Sequence, residues 1–439
     1  MASPAGFPLP ATAAPNEVAP QIAAPDLSCE ACKIILLDPA SAERDPVDAQ
    51  IAQTQNRIKT DRNPGPQVER LGWLFVEKAR VSNDPGFYKL AEECARCLES
   101  ANSNSPDAIL LRGHVLHSLH HFKEAEPLAL ELVKKRGLAF DFGLLGDIEY
   151  DQGKIPEAVA AYQRMVDLRP DLQAYSRVAQ VRWITGDLTG AIEAMTTAAE
   201  AGSPLNAEPT AWTLSRLALL KLQSGDFSGA RQSALAALQM QTNSAPALFA
   251  LGRVQLATGD TNAAVDSLKQ AASLNHLPEA QWILADALRA TGDNDQAAVV
   301  EKELQNRGAA EDPRSYSLYL STRGIEPELA LRLAKKELDT RADIFTHDAL
   351  AWALNANHQV AQAQDEMKKA LAEGTEDARL FFHAAIISAA AGNKDESARC
   401  SRLALKYKQM LFPSELEQLR RIARSDQLSQ QNVPGISPN

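Results

Sequence analysis

Apolar residues recur along the chain at fixed distances from a series of glycine turns. Seven residues before each glycine stands a small residue next to a large apolar one, and five residues after it stands an alanine. The turns contain Gly153, Gly186, Gly225, Gly259 and Gly292, which are 33, 39, 34 and 33 residues apart. This spacing predicts units of two helices that cross at their small residues and are joined by a tight turn.

The residues of the turn suit a helical hairpin. Glycine ends a helix in the left-handed conformation without the steric cost of a Cβ atom. Aspartate follows four of the five glycines, and its carboxylate can accept the free amides at the start of the next helix. Weaker turns extend the register on both sides and contain Gly86, His120, Ile325, His358 and Gly392. The pattern therefore predicts ten turns, with one insertion near residues 201–208.

These positions resemble the tetratricopeptide repeat family, whose unit of about 34 residues carries the same leucine, glycine and alanine positions. A further family alanine recurs at Ala198, Ala237, Ala271, Ala370 and Ala404. The proline that ends the family's unit is kept only at Pro170, so the linkers between units depart from the family pattern. The resemblance implies an all-α fold, a right-handed superhelical solenoid of about ten helix-turn-helix repeats.

The repeat register divides the chain into five segments. The array is placed at 64–411, with units that begin near 72, 106, 139, 172, 211, 245, 278, 311, 344 and 378. Before it, 1–44 is expected to form a disordered Ala/Pro-rich leader and 45–63 an N-terminal helix. After it, 412–424 predicts a helix that caps the last hairpin, and 425–439 predicts a disordered tail.

Composition favours helices and argues against two kinds of partner. Aromatic residues make up 5% of the chain, and the formal net charge is −11. An acidic surface matches a phosphate backbone poorly, so nucleic acid is not expected as a partner. No apolar run of about eighteen residues is present, so no transmembrane segment is expected. The compartment is cytoplasmic for the sequence as written, or exported and periplasmic if a signal peptide was removed before Met1.

The family resemblance places positions 2, 5, 9 and 12 of each unit on the concave wall of the superhelix. All five tryptophans fall at these positions, together with other aromatic and charged residues. A groove of this kind suits an extended or helical peptide, whereas the alternative is that several rings pack between neighbouring repeats. The predicted groove residues are Trp73, His114, His117, Asp147, Tyr150, Trp183, Trp212, Phe249, Arg253, Trp282, Asp286, Arg289, Trp352 and Phe382.

Two groups of residues could bind a metal. His114, His117 and His121 share one face of a predicted helix, but no carboxylate on that helix completes a site. Cys29 and Cys32 form one C-x₂-C pair, and Cys94 and Cys97 form a second. The cysteines leave three interpretations open: a zinc site, disulfides between the amino-terminal segment and the first repeat, or free thiols.

No catalytic motif is present, so we expect neither an enzyme nor a cofactor. The main hypothesis is a monomeric scaffold that binds a partner protein or peptide in the concave groove. The alternative is an exported accessory protein with a metal-related or redox-related role, through the His114 and His117 face or the paired cysteines.

Overall fold

A computed structural model describes residues 24–37, 46–82 and 84–431, which contain 23 α-helices and no strand. Two helices precede the repeats, α1 (Glu30–Ile34) and α2 (Pro46–Thr60). The ten hairpins are α3 (Gly65–Ser82) with α4 (Gly86–Glu99), α5 (Pro106–Ser118) with α6 (Phe122–Lys135), α7 (Ala139–Asp151) with α8 (Ile155–Leu168), α9 (Leu172–Ile184) with α10 (Leu188–Glu200), α11 (Ala207–Ser224) with α12 (Phe227–Met240), α13 (Ala245–Ala257) with α14 (Thr261–Leu274), α15 (Pro278–Ala290) with α16 (Asn294–Glu311), α17 (Pro313–Arg323) with α18 (Pro327–Leu338), α19 (Ile344–Ala356) with α20 (Val360–Ala370), and α21 (Ala378–Ala390) with α22 (Lys394–Lys406). The last helix is α23 (Pro413–Gln431).

The turns form as the sequence predicts. The carboxylates of Asp187, Asp226, Asp260 and Asp293 each accept an amide in the first turn of the following helix. The alanines that follow the turns are fully buried where the two helices of a hairpin meet. These features confirm the all-α solenoid of about ten repeats.

Two predicted turns differ in detail from the pattern. Gly86 begins α4, so it does not supply a left-handed turn. Near Ile325 the left-handed residues are its neighbours Gly324 and Glu326. His120 and His358 do take the glycine role, with φ of 61° and 59°, although each carries a Cβ atom.

Successive turns of the superhelix come into contact, with each contact joining hairpins four to six units apart. In the second hairpin, Lys123 donates to the carbonyl oxygen of Asp339 at 2.9 Å. In the turn of the third hairpin, the Cβ position of Gly153 faces the carbonyl oxygen of Ala342, which leaves no room for a side chain. In the fifth hairpin, Gln223 donates to the carbonyl oxygen of Glu376 at 2.6 Å. The inner helices of successive turns thus surround a central lumen.

The residues around α1 pack against the first hairpin, although they were expected in the unpacked leader. Cys32 is bonded to Cys97 of α4 across 65 residues, and both sulfur-bearing side chains are fully buried. Gln55 of α2 also donates to the carbonyl oxygen of Ile35 at 2.8 Å. Chain entropy gives a cross-link of this span about 4 kcal/mol of stabilisation. The leader prediction is therefore wrong for 24–37, and the rest of 1–44 lies outside the described residues.

The carboxy-terminal helix enters the concave side of the solenoid. Phe412 is fully buried with its ring centroid 5.0 Å from that of Trp282, and Gln418 donates to the carbonyl oxygen of Thr322. α23 contacts α15 and α21 as well as α22, so it fills part of the groove besides covering the last hairpin. It also runs seven residues past the expected bound of 424, and 432–439 lie outside the described part. No helix within the described residues is long and apolar enough for a membrane span.

Candidate functional site: a lumen inside the superhelix

Two adjoining cavities form the lumen. One, of about 620 Å³, lies between α9 and α21, and the other, of about 610 Å³, lies nearer the amino-terminal hairpins. Tyr150, Gln180, Trp212 and Arg216 line both cavities, so the two spaces meet at these side chains. Volumes of this size are typical of ligand-binding cavities.

Eight of the predicted groove residues line the lumen. They are His114, His117, Asp147, Tyr150, Trp183, Trp212, Phe249 and Arg253. The Trp183 ring stacks on Phe345 with centroids 5.6 Å apart, whereas Trp212 keeps 42% of its surface exposed. Solvent therefore reaches an apolar surface inside the lumen, as a peptide-binding groove requires.

The other six predicted groove residues are not among the side chains that line the two cavities, and burial makes the prediction wrong for four of them. Trp282, Asp286, Trp352 and Phe382 are buried, with exposures of 1%, 4%, 4% and 0%. Trp73 is half-buried against His114, and the exposed Arg289 pairs with Glu301 at 2.7 Å on the outer helix α16.

Two contacts explain why the deeper rings are buried. Phe412 and Ser414 cover Trp282, whose Nε1 donates to Ser414 Oγ at 3.2 Å. Trp352 lies between neighbouring repeats, where its Nε1 donates to Thr322 Oγ1 at 3.0 Å. In these later units only the first two turns of the inner helices reach the lumen.

The carboxylates of the lumen all have partners. Asp147 pairs with Arg177, Asp151 with His117 and Arg341, Glu208 with Arg80, Glu279 with Arg379, Asp343 with Arg314, Asp348 with His383, and Asp377 with the first amides of α21. Burial acts to raise the pKa of Asp147, but the Arg177 charge outweighs it, so that pKa is lowered. Within the described residues, Arg216 and Arg253 line the lumen without a carboxylate in ion-pair contact.

His114 is held in its neutral form. Burial lowers the pKa of this imidazole to about 3, and the charges of His117 and Arg80 act in the same direction. A neutral ring also suits the edge-on contact with Trp73, whose centroid is 5.3 Å away.

This depressed pKa predicts an acid-dependent loss of stability. Since the folded pKa lies below the unfolded value of about 6.5, the contribution is full above pH 6.5 and falls as the pH approaches 3. At pH 5 the loss should amount to roughly 2 kcal/mol, and His114→Phe should remove it while keeping the ring contact. Urea unfolding at about pH 7.5 and about pH 5 measures how much stability the wild type and the variant each lose in acid. The control is the exposed His121→Phe, and an equal acid sensitivity of both variants would contradict the prediction.

The histidines and the cysteines, the two groups that could bind a metal, are arranged differently in the structure. His117 Nε2 is 2.9 Å from Asp151, and His121 pairs with Glu124 at the exposed surface, so the three histidines do not converge. The sulfur atoms of Cys29, Cys32 and Cys97 lie within 4.8 Å of one another, but this group does not include Cys94. Burial raises the pKa of the Cys94 thiol well above its ordinary value.

Sequence reasoning missed Arg216 and Arg341. Arg216 stands at position 6 of its unit, outside the positions taken from the family pattern. Arg341 lies in a linker between hairpins and reaches Asp151 only because the superhelix closes. The only available signal for Arg216 was an arginine one helical turn after Trp212, and Arg341 had none.

The architecture defines a class, an α-helical repeat protein with an enclosed lumen. The sequence profile of the tetratricopeptide repeat family matches residues 144–206, 215–275 and 249–313. Residues 144–206 and 215–313 of the chain therefore consist of tetratricopeptide-type repeats. None of the curated proteins matches it.

Several solved structures are similar at low sequence identity. PilF of Pseudomonas aeruginosa is 13% identical, with 49% of this chain and 96% of PilF covered and a TM-score of 0.40. Yeast Tom70 is 13% identical, with 88% and 96% covered and a TM-score of 0.36. The human IFIT1 dimer with PPP-AAAA is 13% identical, with 82% and 89% covered and a TM-score of 0.47. The repeats identify a protein-interaction scaffold in general terms.

Proposed function

We propose that this protein is a non-catalytic scaffold that binds a peptide segment of a partner protein in its lumen. The observation that carries the proposal is that the groove already holds a segment of its own chain, 410–415, which runs from the end of a short 3-10 helix into the first turn of α23. Arg253 donates to the carbonyl oxygen of Met410, Phe412 packs on Trp282, and Glu415 pairs with Arg379 at 2.6 Å. The lumen continues from this segment and is lined by free aromatic surface.

The contacts of that segment are of the kind that peptide grooves use. They combine one main-chain hydrogen bond, one buried aromatic anchor and one charge pair. In the lumen, Tyr150, Trp183, Trp212 and Phe249 offer apolar surface, and amide and guanidinium groups lie beside them. A peptide could make the same combination of contacts there.

An array of immobilised random peptides tests the proposal. Wild-type protein should bind a reproducible subset, and Trp212→Ala should weaken that binding about tenfold, because it removes the most exposed aromatic surface of the lumen. Phe227→Ala is the matched control, since Phe227 is 38% exposed but lies on the outer helix α12. The proposal fails if wild type binds no peptides, or if both variants bind as wild type does.

A further inference from the structure

We propose that the lumen selects peptides that carry an aspartate or glutamate side chain, and that Arg216 binds the carboxylate. This inference rests on the proposed function and names the chemistry of its ligand. It starts from the two lumen arginines that lack a carboxylate partner.

Arg216 stands where the two cavities meet. Within the described residues, its one hydrogen bond goes to Oε1 of Gln180 at 3.4 Å, and the amide nitrogen of Gln180 donates to the Tyr150 hydroxyl at 2.7 Å. The glutamine is thereby oriented with its oxygen towards the guanidinium. Most of the donors of Arg216 remain available to a ligand.

A guanidinium group without a carboxylate partner destabilises the folded protein when it is shielded from water. Protein walls around Arg216 remove water from the guanidinium, and burial lowers its pKa although the group stays charged. The other lumen arginines near it offset this cost with Asp or Glu partners. A carboxylate supplied by a ligand would provide the missing partner, in a two-pronged geometry that guanidinium groups favour.

A second arginine without an ion-pair partner also lines the lumen. Arg253 is 8% exposed, lies over the rings of Phe249 and Phe412, and donates to the carbonyl oxygen of Met410. That carbonyl is neutral, so the charge of Arg253 is not compensated by it. Among the described residues the lumen thus carries two arginines without an ion-pair partner, although the charge of Glu279 acts on both from a longer distance.

The chain supplies a precedent for this recognition. Glu415, which enters the groove with the segment 410–415, is fully buried and pairs with Arg379. Trp212 lies one helical turn before Arg216, on the same face of α11. An acidic side chain bound at Arg216 would therefore place its neighbouring residue on the Trp212 ring.

The favoured ligand is a peptide because the surface as a whole is acidic. A polyanion such as single-stranded nucleic acid would be repelled by the net charge of −11 before it reached the two arginines. One or two carboxylates on an otherwise apolar peptide face a much smaller repulsion.

The random-peptide array also tests this inference. The set bound by wild type should be enriched in Asp and Glu, and Arg216→Gln should lose that enrichment and bind the acidic peptides about tenfold more weakly. Arg231→Gln is the matched control, because Arg231 is exposed on the outer helix α12 and its loss changes the net charge equally. A fluorescent single-stranded oligoadenylate forms a second arm.

The outcomes of these binding experiments distinguish a failure of the inference from a failure of the proposed function. Peptide binding that depends on Trp212 but shows no acidic enrichment, or no change with Arg216→Gln, would overturn the inference and leave the proposed function intact. Tighter binding of oligoadenylate than of acidic peptides would overturn it as well. Absence of peptide binding would sink both.

Thermal melting supplies a separate readout. Because Arg216 is an unpaired cation, Arg216→Gln should melt no lower than wild type in the absence of peptide. A clearly lower melting temperature would mark Arg216 as a structural residue and would count against its role in binding.

Discussion

Trp282→Ala should lower the free energy of unfolding by about 3–5 kcal/mol, the range for loss of a fully buried aromatic side chain. Trp282 is 1% exposed and packs on Phe412 and Tyr319, with ring centroids 5.0 and 5.8 Å away. The variant would leave a cavity between the inner wall and the carboxy-terminal segment, and Ser414 would lose its indole partner. Urea unfolding followed by far-UV circular dichroism measures the loss.

Trp212→Ala is the natural comparison. Trp212 is 42% exposed in the lumen, so its removal should cost about 2 kcal/mol of stability, less than the loss of Trp282. The two variants therefore separate a packing tryptophan from a ligand-facing one. Equal losses of stability in both would contradict the assignment of Trp282 to the core.

Gly153→Ala should open the contact between successive turns of the superhelix. Gly153 has φ of 74°, and a Cβ atom there would overlap the carbonyl oxygen of Ala342. The left-handed conformation alone costs an alanine about 1–2 kcal/mol. Because the obstructing atom belongs to the backbone, relief requires the third hairpin and the linker before α19 to separate. We expect a larger radius of gyration in small-angle X-ray scattering and a further loss of stability.

Gly259→Ala isolates the contribution of the contact. Gly259 has φ of 84° but no neighbour within 4 Å of its Cβ position. The Gly259→Ala variant should therefore lose stability through the left-handed conformation alone, without an increase in the radius of gyration. If the two variants change stability and size equally, closure of the superhelix does not depend on the Gly153 contact.

Sequence reasoning found the hairpins because their signals are local. A glycine turn, an aspartate cap and buried alanines act within one unit, and Asp187 with Gly190 illustrates that the cap needs only residues a few positions apart. Where hairpins stack regularly, residues predicted on the inner face, such as Tyr150 and Trp183, line the lumen. The prediction failed at Trp282, because α23 covers that ring from a position more than a hundred residues away.

The sequence by itself determined the class of fold, the ten hairpins and much of the inner face, since each depends on spacing within about 34 residues. Only the tertiary structure decided that successive turns of the coil touch, that Cys32 joins Cys97, and that α23 enters the groove. Closure sums small rotations over many helix contacts, and cysteine pairing depends on which helices meet. The same long-range packing brings Arg216 and Arg253 to one lumen with no acidic partner among the described residues.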